Sequence, residues 1–145
     1  MKSKLIHKNG ERTFALVFDT GDEPMTSLSI FANQLGLAAS HFTGIGAFSG
    51  VVLGYFDWKR KEYDRIPIDE QVEVLSLVGD ISLAEGKPTV HAHVVVGKAD
   101  GTAHGGHLLE AHVRPTLEIV LVESPVHLRR AYDSESGIPL IDLDA

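Results

Sequence analysis

The stretch Thr89-Val-His-Ala-His-Val-Val-Val96, followed by Lys98-Ala-Asp-Gly-Thr102 and then by Gly105-Gly-His107, decides how this chain is read. β-Branched residues dominate the first segment and mark it as a strand. Successive strand side chains point to opposite faces, so His91 and His93 share one face and Ala92 takes the other. Asp100-Gly101 tolerates the positive φ angles of a two-residue hairpin loop, so Thr102 to Glu110 is expected to return antiparallel. With Asp100 and Gly101 at the centre of the turn, position 94 would face position 107, one step out of register for His93. A one-residue bulge at Gly105-Gly106, where glycine accepts the required backbone angles, brings His107 opposite His93.

Three imidazoles, from His91, His93 and His107, then surround one point with coordination positions left open, the feature that separates catalytic from closed structural zinc sites. His104 and His112 are near enough along the chain to supply a fourth ligand or to hold those rings from behind, and Glu110 to hold them from behind. Imidazole suits zinc, nickel, iron and manganese, whereas magnesium and calcium favour oxygen ligands. The expected cofactor is therefore a divalent metal, zinc first, with nickel, iron or manganese as alternatives.

Composition narrows the function classes. A chain of 145 residues is expected to form one domain, residues 1–145, and buries roughly two-thirds of its unfolded surface without staples. It has no cysteine, which removes disulfides, thiolate metal sites and cysteine nucleophiles together and suits a reducing cytoplasm, the expected location. No apolar run approaches the ~20 residues that span a bilayer, and Met1-Lys-Ser-Lys-Leu-Ile-His7 lacks the apolar core of an export signal. With 20 acidic against 13 basic residues and a net charge of −7, the balance argues against direct DNA binding, whose affinity comes from lysine and arginine on phosphates. The basic clusters Lys59-Arg-Lys61 and Arg129-Arg130 are small and read as solvated strand ends or turns.

The rest of the chain reads as an α+β domain: a largely antiparallel sheet with one main covering helix. A first core strand spans Thr13 to Phe18, preceded by an Asn9-Gly10 turn. After Pro24, Leu28, Phe31, Ala32 and Leu35 fall at helical spacing, with Thr26 or Ser27 as the cap and Gly36 at the end. Short strands are expected at 41–47, 51–57, 62–67, 71–78, 89–96, 102–110 and 116–122. The apolar Ile138-Pro-Leu-Ile-Asp-Leu143 is expected to dock. Gly44-Ile-Gly46 lacks the third glycine of a dinucleotide fingerprint and reads as a close-packed turn.

Gly44-Ile-Gly-Ala-Phe-Ser49, Leu53-Gly-Tyr-Phe-Asp57, Glu73-Val-Leu-Ser-Leu-Val-Gly79, His91-Ala-His93 and Gly105-Gly-His-Leu108 together resemble the PPC domain, which is shared by stand-alone prokaryotic proteins and plant AT-hook nuclear proteins. The resemblance runs from about Arg12 to about Glu123. It implies a compact α+β fold that assembles as a homotrimer and, in prokaryotic members, a histidine cluster that looks like a metal site; His91, His93 and His107 match it. A trimer also agrees with the chain itself, because many short strands and one helix leave a sheet face uncovered. The sequence has no Arg-Gly-Arg-Pro AT-hook, and Glu70-Gln-Val-Glu-Val-Leu75 stands where the plant partner-binding motif has Gly-Arg-Phe-Glu-Ile-Leu.

Glu73 alternates with Leu75 and Leu77, which makes it a candidate buried carboxylate and a candidate catalytic residue, held ionised by an arginine such as Arg12 or Arg114 or shifted toward a general base by burial. Three functional readings follow. The leading one is a trimeric metal-binding protein taking a small anionic or carbonyl ligand at the metal. The second is a DNA-binding or regulatory interaction module acting through partners. The third is a metal-free trimer whose histidines line a small-ligand pocket. The residues leave open whether the protein is an enzyme.

Overall fold

The computed structural model describes residues 1–144. Among these, nine strands and one helix follow in the order β1 (Lys2–Asn9), β2 (Glu11–Asp19), α1 (Pro24–Leu35), β3 (Ala39–Asp57), β4 (Glu62–Ile68), β5 (Val72–Ala84), β6 (Lys87–Gly97), β7 (Ala103–Glu123), β8 (Arg129–Tyr132) and β9 (Pro139–Asp142). Every pairing is antiparallel except β5 with β8. The expected strands at 41–47 and 51–57 are one strand, β3, and those at 102–110 and 116–122 are one strand, β7. Each long strand serves different neighbours along its length. The first half of β3 pairs with β5 and the second with β4, while β7 starts against β6 and ends against β2. Because β3 also pairs with β7 and β5 with β6, the strands β3, β5, β6 and β7 close a ring.

The inward side chains of that ring and of β2 form one apolar cluster that includes Phe18, Phe42, Phe48, Leu77, Ile81, Val94, Leu108 and Leu121, joined by Leu28, Phe31 and Ala32 of α1. Phe14 meets Phe31 edge to face at 5.3 Å. The helix begins earlier than expected. Glu23, not Thr26 or Ser27, is its cap, accepting hydrogen bonds from the backbone N–H of Met25 and Thr26. Pro24 then occupies the first helical position, where its missing N–H costs nothing. Gly36 ends the helix in the left-handed region, as expected.

Gly44-Ile-Gly46 is not a turn. It lies inside β3, where register shifts against both β5 and β7 and the backbones come so close that a Cβ on Gly46 would stand 2.3 Å from the Thr116 carbonyl oxygen. Three elements, β1, β8 and β9, have no counterpart in the expected strands. The strand β1 is exposed throughout and carries Lys2, Lys4 and Lys8, the charged composition of a protected sheet edge rather than the alternation of a core strand. The apolar tail docks as β9, which pairs with β8 and so joins the sheet beside β5.

Candidate metal centre

The hairpin that carries the trio has the expected partners and a different turn. His93 lies opposite His107, with Val94 opposite Gly106 and Val95 opposite Gly105, and no register shift interrupts the ladder. The extra residue sits in the loop instead: Lys98 N–H donates to the Thr102 carbonyl at 2.9 Å and Gly101 N–H to the Lys98 carbonyl at 2.9 Å, with Gly101 at φ +81°. This is a three-residue loop closed by a left-handed glycine, which restores the register that a bulge was expected to supply. The Asp100 carboxylate fixes the loop by accepting from the Thr102 N–H and hydroxyl. The double glycine answers another need. A Cβ on Gly106 would lie 2.8 Å from the Gly54 carbonyl oxygen of β3, so glycine is where β7 is wedged between its two neighbours.

Ala92, Val94 and Val96 point into the core, which places His91 and His93 on the outside of the ring. The centroids of the three rings are 5.1 Å apart for His91–His93, 5.1 Å for His91–His107 and 5.2 Å for His93–His107. Each ring offers a nitrogen within 4.8 Å of those offered by the other two. Burial, and then the neighbouring imidazoles, lower the pKa of His107 to about 4. Burial and His91 lower that of His93. Both rings are therefore held neutral, the form that binds metals. The Nδ1 atom of His107 is buried with no hydrogen-bond partner, so the protein alone does not satisfy that ring. Three imidazoles, one of them unsatisfied, with no carboxylate in the cluster, fit a borderline first-row ion.

The groups around the trio are not those expected. His104 approaches Thr102 Oγ1 at 3.4 Å, and Glu110 pairs with Arg65 at 3.2 Å and with His112 at 3.5 Å. None of these three contacts reaches a ring of the trio. Asp80 and Arg130 do. His91 is the cross-strand neighbour of Asp80, and its Nδ1 lies 3.4 Å from Asp80 Oδ2 and 3.4 Å from Arg130 Nη2. Arg130 Nη2 in turn donates to Asp80 Oδ1 at 2.8 Å and Oδ2 at 3.0 Å, and its Nε donates to Ser82 Oγ at 2.7 Å. Burial alone would raise the Asp80 pKa, but the hydrogen bonds from His91 and Arg130 outweigh it and hold the carboxyl below its ordinary range. Tyr63 lies against His107 with centroids 4.6 Å apart. The sequence signals for these groups were faint: a carboxylate interrupting an apolar strand just after Gly79, and an Arg-Arg pair read as solvated.

Glu73 is exposed, contrary to expectation. The β5–β6 register shifts between Val74 and Ser76, so Val72 and Val74 face inward before the shift and Leu77 after it, leaving Glu73 and Leu75 outside. Arg12 pairs with Glu123 rather than with Glu73. A cavity of about 220 Å³ opens beside the trio, lined by His91, His107, Tyr63, Val90 and Arg130 and walled by Ile138, Pro139 and Leu140 of the C-terminal segment.

Comparisons to known proteins agree with this fold. The chain belongs to the Plants and Prokaryotes Conserved (PCC) domain family, whose model matches residues 6–125. A plant- and prokaryote-conserved (PPC) protein from Pyrococcus horikoshii is 35% identical, with a TM-score of 0.84 over 90% of this chain and 91% of its own. A protein from Archaeoglobus fulgidus described as metal-containing is 34% identical, with a TM-score of 0.83 over 97% of this chain and 99% of its own. A Bacteroides thetaiotaomicron protein described as a "putative dna binding protein" is 26% identical, with a TM-score of 0.88 over 99% of each chain. Comparison with curated protein sequences gives no match.

Proposed function

We propose that this chain is a single-domain, cytoplasmic, homotrimeric metal-binding protein in which His91, His93 and His107 hold one divalent first-row ion, zinc foremost, with nickel, iron and manganese as the alternatives that imidazole also suits. The observation that carries the reading is the convergence of three imidazole nitrogens within 4.8 Å on the β6–β7 hairpin. The description of the Archaeoglobus relative as metal-containing supports it. When bound, such an ion supplies Lewis acidity toward an anionic or carbonyl oxygen. The chain's own contribution is positional: Tyr63, Val90 and Leu140 wall the adjoining cavity, where they would hold the apolar part of a small ligand and limit the water around its polar end.

The trimer rests on an outward apolar face. His107, His93, Val78, Thr43, Val120 and Ala15 are successive cross-strand partners, so they form one row across five strands. Val78 and Val120 are each 48% exposed, and Ile45 and Leu75 beside them are 63% and 55% exposed. A patch of this kind is what self-association covers. Among the described residues, direct DNA recognition has no comparable surface. Arg60, the centre of the Lys59-Arg60-Lys61 cluster, is bound to Asp57, Glu62 and Asp64 rather than free for phosphate.

Elemental analysis of the purified protein tests the metal, with about one ion per chain expected and a metal-free protein refuting it. Light scattering tests assembly: a trimer mass is expected for the wild type and a smaller species for Ile45→Asp and Leu75→Asp, whereas a wild-type monomer at micromolar concentration would refute the trimer.

A further inference from the structure

The histidine trio does not stand on its hairpin alone. Arg130 belongs to β8, beyond the residues 6–125 that define the family match, yet its side chain is only 9% exposed and its donors are spent on one neighbourhood. Nη2 donates to both oxygens of Asp80, Nε to Ser82 Oγ at 2.7 Å, and Nη1 to the Pro139 carbonyl at 3.2 Å. The two Asp80 oxygens are used unequally. Oδ1 accepts from both Arg130 and the Ser82 hydroxyl, at 2.8 and 3.1 Å, while Oδ2 accepts only from Arg130. The atom with spare acceptor capacity, Oδ2, faces His91 Nδ1 at 3.4 Å, and Arg130 Nη2, which already donates to both Asp80 oxygens, stands at the same 3.4 Å from that nitrogen. Of the two contacts, the one to the ionised carboxylate makes the stronger, charge-assisted hydrogen bond, and an N–H on His91 Nδ1 completes it.

We infer that Asp80 and Arg130 are positioning residues for the metal centre: Arg130 clamps Asp80, and Asp80 holds the proton of His91 on Nδ1, so that Nε2 carries the lone pair offered to the ion. The inference rests on the metal reading for its purpose, but the tautomer is a property of the metal-free protein. A carboxylate that fixes a ligating histidine in this way sets both ring orientation and basicity, and losing it lowers metal affinity about 10- to 100-fold. The C-terminal hairpin of β8 and β9 is on this account part of the site, because its arginine is the clamp and its Pro139 carbonyl holds that arginine in turn.

The test has two readouts. In metal-free wild-type protein at neutral pH, ¹⁵N–¹H correlation of the imidazoles should show His91 protonated at Nδ1, and an Nε2–H tautomer would overturn the inference even if the protein binds metal. Zinc affinity, measured by competition with a chromophoric chelator, should fall about 10- to 100-fold in Asp80→Ala and Arg130→Gln, with Arg130→Lys recovering part of the loss. Arg129→Ala, the neighbour on β8, should leave it unchanged. Variants that stay folded by circular dichroism and bind zinc as the wild type does would refute the positioning role. A wild type that binds no zinc but shows the Nδ1–H tautomer, lost in Asp80→Ala, would refute the metal reading and leave the Asp80–His91 contact standing.

Discussion

Two clusters of nitrogen-bearing side chains stand out in this sequence, and the structure treats them oppositely. The triple Lys59-Arg60-Lys61, three consecutive positive charges, is largely spent within the protein: Arg60 donates to Asp57, Glu62 and Asp64, and Lys61 Nζ reaches the Ser134 carbonyl at 3.1 Å. The trio His91, His93 and His107 draws a partner from the protein only at its edge, at His91, and leaves a buried ring nitrogen of His107 without any. Charge density on a surface therefore says less about ligand binding than unmet bonding capacity does. A satisfied arginine has nothing left to offer, whereas an unsatisfied imidazole beside two others keeps a lone pair to give.

The largest test of that contrast removes the unmet capacity. His91→Ala, His93→Ala and His107→Ala should each reduce bound metal from about one per chain to near zero by mass spectrometry of the elements, with His7→Ala and His127→Ala unchanged; equal metal in all five would erase the distinction. Next in size is the strand beneath the site. A Cβ on Gly79 would stand 2.3 Å from the Phe42 ring and 2.5 Å from the His91 carbonyl oxygen, so Gly79→Ala should destabilise the fold by about 1–3 kcal/mol in urea denaturation and weaken metal binding with it.

The pH dependence is smaller and its sign is fixed. With the folded pKa of His107 lowered to about 4 and that of His93 lowered as well, the unfolded chain takes up protons that the folded site refuses. The metal-free protein should keep its full stability above pH ~6.5 and lose part of it between pH ~6.5 and ~4. Chemical denaturation across that range should show the slope, and His107→Ala should flatten it. Smallest of all is the basic cluster. Replacing Lys59, Arg60 and Lys61 together by alanine should leave duplex DNA affinity in the non-specific range of roughly 10⁻⁴ to 10⁻⁶ M near physiological salt, where the wild type should already lie. A sequence-selective shift at submicromolar protein, lost in the triple variant, would overturn the contrast from its other side.

What was legible in the sequence followed short-range rules. Strand periodicity put His91 and His93 on one face, and the return of the hairpin brought His107 to them. Gly36 ended the helix, and the apolar tail docked. The turn was misjudged because two- and three-residue loops both use Asp100-Gly101 and differ only in whether Ala99 belongs to the loop, which composition does not encode. Glu73 was misjudged because one register shift in β5 turns later side chains over, and no residue at Leu75 or Ser76 announces it. Asp80 and Arg130 were out of reach for a different reason. They lie 50 positions apart and meet only because β8 runs parallel to β5, the one parallel pairing among the described strands, which depends on the closure of the whole sheet.

The row that runs from His107 through His93, Val78 and Thr43 to Val120 has a consequence for how this protein would behave on dilution. On the proposed function this row carries the ion at one end and the assembly face at the other, which would make occupancy and association one linked equilibrium. Whatever factor the ion contributes to the association constant, association must return to the ion's affinity. Stripping the metal should then loosen the oligomer, and dilution should loosen the metal, so that a chelator titration run at two protein concentrations would give two different midpoints.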